Sequence, residues 1–277
     1  MAITNFIPEY WSSALLTSLK KSLVFGDVVN RNYEGEIAAA GDTVRITSVS
    51  RPTISTYVPN STTITYEQLA DAQRTLVVDQ AKMFNFTVDD VDRRQSLPGI
   101  VEEATREAAY ALGDTIDQFI AGLYTGAINT IDTTAVTSTA ANAYPLLVDL
   151  KVKLDQKNVP GDGRWVIVPP WYHGLLLKDN RFIDASASGS TEALTNGRVG
   201  RAAGFDVRVS NNAPLITGDD YAVIAGHNSA ITYAEQINKV EALRLETKFA
   251  DGIRGLAVYG AKLIRPDSIA VLTASMT

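Results

Sequence analysis

The stretch "LPGIVEEATREAAYALGDTIDQFIAGL", residues 97–123, organises the rest of the chain. Ser96 stands before it as an N-cap, Pro98 occupies the first turn where a missing N–H leaves no bond unmade, and Glu102 and Glu103 complement the positive helix end. Apolar residues recur at Val101, Ala104, Ala108, Ala111, Leu112, Ile116, Phe119, Ile120 and Leu123, one stripe at helical spacing. With Gly122 and Gly126 at the fraying end, the spacing predicts a helix over about 98–126. At ~1.5 Å per residue it runs ~40 Å, the span of a small domain. Its alanines let a sheet or a second helix approach closely.

Upstream, "GDTVRITSVSRPTISTYVPNSTTITYEQLADAQRTLVVDQ" (41–80) is rich in Thr, Ser, Val and Ile, and two extended arms flank a turn signal at Val58-Pro59-Asn60-Ser61. This predicts one long hairpin with arms of ~16 residues, reaching ~50 Å if fully extended. At its base Val44 and Ile46 can meet Val77 and Leu76 or Val78; the distal half has only Ile54, Tyr57, Ile64 and Tyr66 as apolar anchors. Such a tip builds no core of its own, and two isolated strands with open edges invite pairing. It either lies across a neighbouring subunit or folds back on its own domain. The same choice faces the N-terminal amphipathic helix expected through Trp11, Leu15, Leu16, Leu19 and Leu23.

Downstream, Thr130 to Ala143 is a Thr/Ala/Ser-rich connector and the expected domain boundary. A compact α+β unit follows: a helix through Leu146, Leu147, Leu150 and Leu154, a turn at "PGDG", the buried strand "RWVIVPP", then "WYHGLLLKD", "FDVRVS" and "DYAVIAG". From Ile231 the pattern is β. Leu243, Leu245, Thr247 and Phe249 alternate with Arg244, Glu246 and Lys248, predicting a strand with one buried and one charged face, and Asp251-Gly252 reads as its turn. "IRGLAVYGAKLI" and "SIAVLTA" close the chain. These last strands need a helix over their apolar face, and 98–126 supplies it.

The sequence carries no sign of catalytic chemistry. The 277 residues have net charge −6 and no cysteine, so no disulfide or thiolate metal site is available. No run of Lys or Arg exceeds two residues, against sequence-specific nucleic-acid binding, and no apolar stretch reaches the ~20 residues of a membrane span. "NGRVGRAAGFDVRVSNNAP" (196–214) combines three glycines and three arginines, yet it lacks the lysine of a P-loop and the spacing of a dinucleotide fingerprint, and a strand follows it. His173 and His227 have no local nucleophile and read as hydrogen-bonded strand-end histidines. Asp89, Asp90 and Asp92 lack the glycine and glutamate of a calcium loop. Trp165, Trp171 and Tyr172 are core residues or a ligand platform. No catalytic residue, cofactor or metal is expected.

The order of these segments resembles the major capsid proteins of tailed double-stranded DNA bacteriophages, with the α+β HK97-like fold: a helical arm, a long polar hairpin, the helix "LPGIVEEATREAAYALGDTIDQFIAGL", an α+β insertion and the closing pair "DGIRGLAVYGAKLIRPDSIAVL". The resemblance implies an N-terminal arm at 1–35, an E-loop hairpin at 36–82, a P-domain at 83–140 and 232–277 around the spine helix, and an A-domain at 141–231. It implies a structural protein, not an enzyme, that self-assembles into hexamers and pentamers of an icosahedral virion capsid around DNA, in the host cytoplasm. A separate scaffolding protein and a portal are the implied partners, with a decoration protein as a further one. Covalent cross-linking through an E-loop lysine does not carry over, because the nearest lysine, Lys82, lies at the hairpin base. Expected inter-subunit contacts are Trp11, Leu15, Arg45, Arg51, Tyr57, Tyr66, Arg198 and Arg201. The alternatives are an encapsulin-like bacterial compartment shell and, further off, a ligand-binding or enzymatic α+β domain.

Overall fold

A computed structural model of the chain describes residues 24–32, 43–49, 52–57, 59–60, 66, 71–89, 100–179, 181, 200–247 and 249–276. One helical turn, α1 (Phe25–Val28), precedes strands β1 (Thr43–Val49), β2 (Asp71–Val77) and β3 (Gln80–Asp89). The long helix α2 (Ile100–Gly122) follows and tightens into a 3₁₀ turn at Leu123–Gly126. Ser96 and Pro98 lie outside the described residues. Ala109, Leu112, Ile116, Ile120 and Ala121 are buried as helical spacing requires. Ala111, expected on that stripe, is exposed, while the polar Thr105 and Asp117 are buried on it.

The chain continues through β4 (Asn129–Thr137), α3 (Ala143–Gln156), β5 (Arg164–Val168), α4 (Pro170–Leu177), β6 (Arg201–Ala202), β7 (Phe205–Val209), β8 (Leu215–Thr217), β9 (Asp220–His227), β10 (Ile231–Arg244), β11 (Ala250–Leu263) and β12 (Ile269–Ser275). Among the described residues these strands make a seven-stranded sheet of order β4-β12-β9-β5-β7-β6 with β8 on β9, a three-stranded sheet β10-β11-β3, and the pair β1-β2. Both faces of the large sheet are covered, and alternate residues divide between two cores. Trp165, Ile167, Ile224 and Val271 pack with Leu112, Ile116 and Ile120 of α2. Val166, Val168, Val223 and Leu272 pack with Leu147, Leu150 and Leu154 of α3 and Leu176 of α4. α2 also reaches the small sheet, where Phe119 meets Tyr259 edge-on at 5.5 Å.

Three sequence expectations are corrected. The connector at Thr130–Ala143 is largely strand β4, parallel to β12; its Thr, Ile and Val suit a pleated surface, and Asn129 Nδ2 donates to the carbonyl of Asp267 at 2.8 Å. The closing β unit divides, with β10 and β11 joining β3 while β12 enters the large sheet between β4 and β9. The strand expected over 243–249 ends at Arg244. The chain turns between Arg244 and Ala250, closed by the Leu245 N–H on the Ala250 carbonyl at 3.1 Å, and Asp251 and Gly252 are strand residues opposite Arg244 and Leu243. An alternating pattern ran on across a turn that no glycine or proline marks.

Among the described residues β1 and β2 pair over seven residues per arm, where arms of ~16 were expected, with Val44 standing opposite Leu76 and Ile46 opposite Arg74, not Val77 or Val78. Residues 52–57 are outside any strand, and Asn60 takes the left-handed φ of 63° expected of a turn. The base is held firmly. Leu76 and Val78 are buried against Ala234 and Val258, and Lys262 Nζ donates to the Thr75 carbonyl at 2.6 Å. β2 crosses the small sheet so closely at Gly260 that a Cβ there would lie 2.4 Å from the Val77 carbonyl oxygen.

Candidate functional site

The residues with catalytic potential are spread over separate structural roles. His227 ends β9 with Nδ1 2.8 Å from the Ser229 hydroxyl, whereas His173, expected at a strand end, lies within α4, where burial lowers its pKa. Trp165 and Tyr172 face opposite cores and form no shared platform; Tyr172 donates its O–H to the Ala143 carbonyl at 2.9 Å, and burial pushes its phenol pKa up. Asp89 is the last residue of β3. Among the described residues no three His, Cys, Asp or Glu side chains gather as metal ligands.

The glycine–arginine stretch closes a tight hairpin. Ala203 and Gly204, at φ 48° and 83°, form the two-residue loop between Ala202 and Phe205, a geometry that matches strand twist and favours glycine. Arg201 Nε donates to Asp206, its cross-strand partner, at 2.8 Å. Within the chain Arg201 thus meets a carboxylate of its own hairpin, and its side chain stays 74% exposed. Arg198, Arg51, Trp11 and Leu15 lie outside the described residues, and Arg45 is in β1 opposite Thr75.

What the structure does bring together is unpartnered apolar surface. On the distal hairpin Ile54, Tyr57 and Tyr66 are 87%, 64% and 95% exposed. Elsewhere Met83 of β3 is 75% exposed and Phe249, which the sequence reading assigned to the buried face of a strand, is 82% exposed on the turn after β10. Large exposed side chains grouped as on the distal hairpin mark interaction surfaces. The signal available in the sequence was an aromatic, Phe249, directly after the charged Lys248.

The end of the expected N-terminal arm belongs to the core. Phe25, Val28 and Val29 are buried beside α2, and Asn30 bridges to Thr232 of β10. Asp117, 1% exposed on α2, receives the Phe25 N–H at 2.7 Å and Asn212 Nδ2 at 3.1 Å. Arg31 reaches Glu235 at 3.3 Å and lies over the Tyr233 ring at 5.0 Å. Burial raises the Asp117 pKa, opposed by hydrogen bonds from Asn212 and from the Phe25, Val24 and Gly26 backbone. A carboxyl raised in the folded state stabilises most below its unfolded pKa, and this contribution is lost as pH rises through the folded value. Relative to Asp117→Asn, the wild type should thus gain stability as pH falls through the raised pKa toward the ordinary carboxylate value of 3.8, checked by denaturant melts at several pH values. Asp117→Ala, which leaves buried N–H groups unpaired, should cost ~3 kcal/mol.

The architecture is a mixed α+β fold, and comparisons with known proteins identify its class. A family model described as phage capsid protein matches residues 70–272. The structure is similar to one from Mycobacterium phage Che8, 31% identical with a TM-score of 0.78, over 98% of this chain and 94% of that one. It is also similar to the capsid structure of the cyanophage P-SCSP1u (18% identity, TM-score 0.75, 92% and 89% of the two chains). A virus-like particle from Pyrococcus furiosus shares the fold at 14% identity and a TM-score of 0.60, over 96% and 98%. A search of curated proteins found no match. The chain belongs to the phage capsid protein family, with the HK97-like fold, and is a structural component of the capsid shell.

Proposed function

We propose that the chain assembles into hexamers and pentamers of an icosahedral shell around double-stranded DNA, and that the β1–β2 hairpin is the arm each copy lays on its neighbour. The observation that carries this is the contrast along the hairpin: a base locked to the small sheet by Leu76 and Val78, and a distal part whose Tyr57 and Tyr66 stand in solvent. In this assignment 36–82 is the E-loop, α2 the spine of the P-domain, and the unit 141–231 the A-domain, with β4 and β12 lending it two strands. Contacts through Trp11, Leu15, Arg45 and Arg51 belong to the same proposal. The net charge of −6 suits a wall that encloses nucleic acid without gripping it. The capsid family match favours this over an encapsulin-like compartment. Scaffolding protein and portal are separate chains in this scheme, and assembly takes place in the host cytoplasm.

The purified protein, alone or with scaffold, should form uniform shells, capsomers or sheets in negative-stain electron microscopy. Strictly monomeric material even with scaffold present would overturn the proposal.

A further inference from the structure

The chain ahead of α1 has a direction and a surface to follow. The backbone N–H groups of Val24, Phe25 and Gly26 turn to Asp117 of α2, that of Phe25 at 2.7 Å. From this bond two stretches of chain run to one place. The Asn30 N–H donates to the Ile231 carbonyl at 2.9 Å, and Gly126, just past α2, lies so close to Leu263 that a Cβ there would meet its side chain at 3.1 Å. Ile231 and Leu263 are partners across β10 and β11. Phe25 to Asn30 and Asp117 to Gly126 therefore run side by side in the same direction, and the line of the chain before Val24 points along the N-terminal half of α2.

That half carries Arg106, Tyr110, Gly113 and Asp117 on one line, at i, i+4, i+7 and i+11. Tyr110 is an aromatic left 63% exposed. Gly113 is buried in mid-helix, where glycine costs ~1 kcal/mol against alanine, and its missing side chain lets another backbone come close. A small residue beside an aromatic on such a line suits a second helix. Residues 1–23 lie outside the described residues; their sequence predicts an amphipathic helix with Leu16, Leu19 and Leu23 on its stripe. Leu23 directly precedes Val24, and a helix from Leu23 back to Leu16 rises ~11 Å, as α2 does from Asp117 back to Tyr110. Charge agrees: Lys20 and Lys21 flank the leucines, and Glu107 and Asp114 flank the line on α2.

We propose that residues 16–23 lie along α2 of their own copy, parallel to it, with Leu16, Leu19 and Leu23 covering Tyr110 and Gly113. The occupant is this segment because the Val24 bond to Asp117 delivers it to the head of the line, and a tethered segment outcompetes any free partner through its effective concentration. Trp11 and Leu15, at the far edge of the same stripe, are then held out toward a neighbouring copy. That consequence rests on the assembly reading above, whereas the seating itself is a property of the single chain. An arm ordered before assembly gives up less entropy when copies join.

The chain has no cysteine, which makes the test direct. Tyr110→Cys is combined in one chain with Leu16→Cys or with Leu19→Cys, and the dilute monomer is oxidised. An intrachain disulfide is expected in at least one pair, read by peptide mapping. No disulfide in either pair, or disulfides only between chains, would overturn the contact. Independently, a chain lacking residues 2–20 should melt ~5 °C or more below the intact monomer, since the buried faces of Leu16 and Leu19 are lost. Tyr110→Ala should lower the melting temperature of the intact chain by ~3 °C and leave that of the shortened chain unchanged, the signature of two groups in contact. Unchanged melting on deletion, or an equal effect of Tyr110→Ala in both chains, would overturn the proposal. Shells of the wild type without the intrachain contact would overturn this contact alone, and the contact in a wild type that forms no shells would overturn the assembly reading alone.

Discussion

A chain lacking residues 48–68 should melt where the intact protein melts and should form no shells. Removing these residues leaves the ladder from Thr43↔Val77 to Thr47↔Gln73, together with the buried pair Leu76 and Val78. What is lost includes Ile54, Tyr57 and Tyr66, whose exposure means that they contribute little to the monomer. Changes at such positions move stability by only about ±0.5 kcal/mol, and a shorter loop closes at slightly lower entropic cost. Assembly responds differently. Aromatic anchors buried at an interface are commonly worth ~2 kcal/mol or more each, and symmetry repeats the loss at every copy. Tyr57→Ala and Tyr66→Ala should therefore weaken assembly in steps, each by more than about tenfold. Calorimetry of the monomer and electron microscopy of the assembly reaction check both halves. A large fall in monomer melting temperature would mean that the distal hairpin packs on its own core.

Gly260→Ala should destabilise the monomer by ~3 kcal/mol and abolish assembly while every hairpin residue is retained. The added methyl carbon would lie 2.4 Å from the Val77 carbonyl oxygen and 2.9 Å from the Val78 Cα. Both are backbone atoms and cannot rotate aside, so β2 must lift from β11. That motion opens the packing of Leu76 and Val78 on Ala234 and Val258 and loosens the arm's root. For a chain of this size the expected fall in melting temperature is roughly 6–12 °C. Gly122→Ala is the matching control, since a Cβ there meets nothing within 4 Å, and it should be neutral or slightly stabilising. A Gly260→Ala protein as stable as the wild type would show that the crossing can relax.

The long helix was legible in the sequence because its periodicity is local: a stripe repeated over six turns leaves few alternatives, and α2 follows the expected span to within a few residues. The doubly buried strands were legible as short continuous apolar runs, such as "RWVIV" and "IAVL". Sheet membership was not. β4 pairs with β12, and the Asn129 side-chain bond to the Ile269 carbonyl that fastens them spans 140 residues, a relation with no local signature. The threonines of β4 read as linker because composition alone does not separate an exposed connector from a strand lying beside another. Asp117 was passed over because a charged residue on an apolar stripe is normally an interruption; here it is buried because it receives the N–H groups of a segment about ninety residues away.

By itself the sequence determined the elements that short-range chemistry specifies: the spine helix, the turn at Asn60, the buried strands, the absence of thiol chemistry and the polar character of the hairpin. Their order was enough to point to a capsid shell. Tertiary structure alone decided which strands share a sheet, how close β2 comes to β11, and that Phe249 stands in solvent instead of inside a core. The physical reason is that burial and pairing are properties of two surfaces together. A residue's own neighbours along the chain state its periodicity, but the surface it meets is supplied by residues far away in sequence and, in a shell protein, by the next copy.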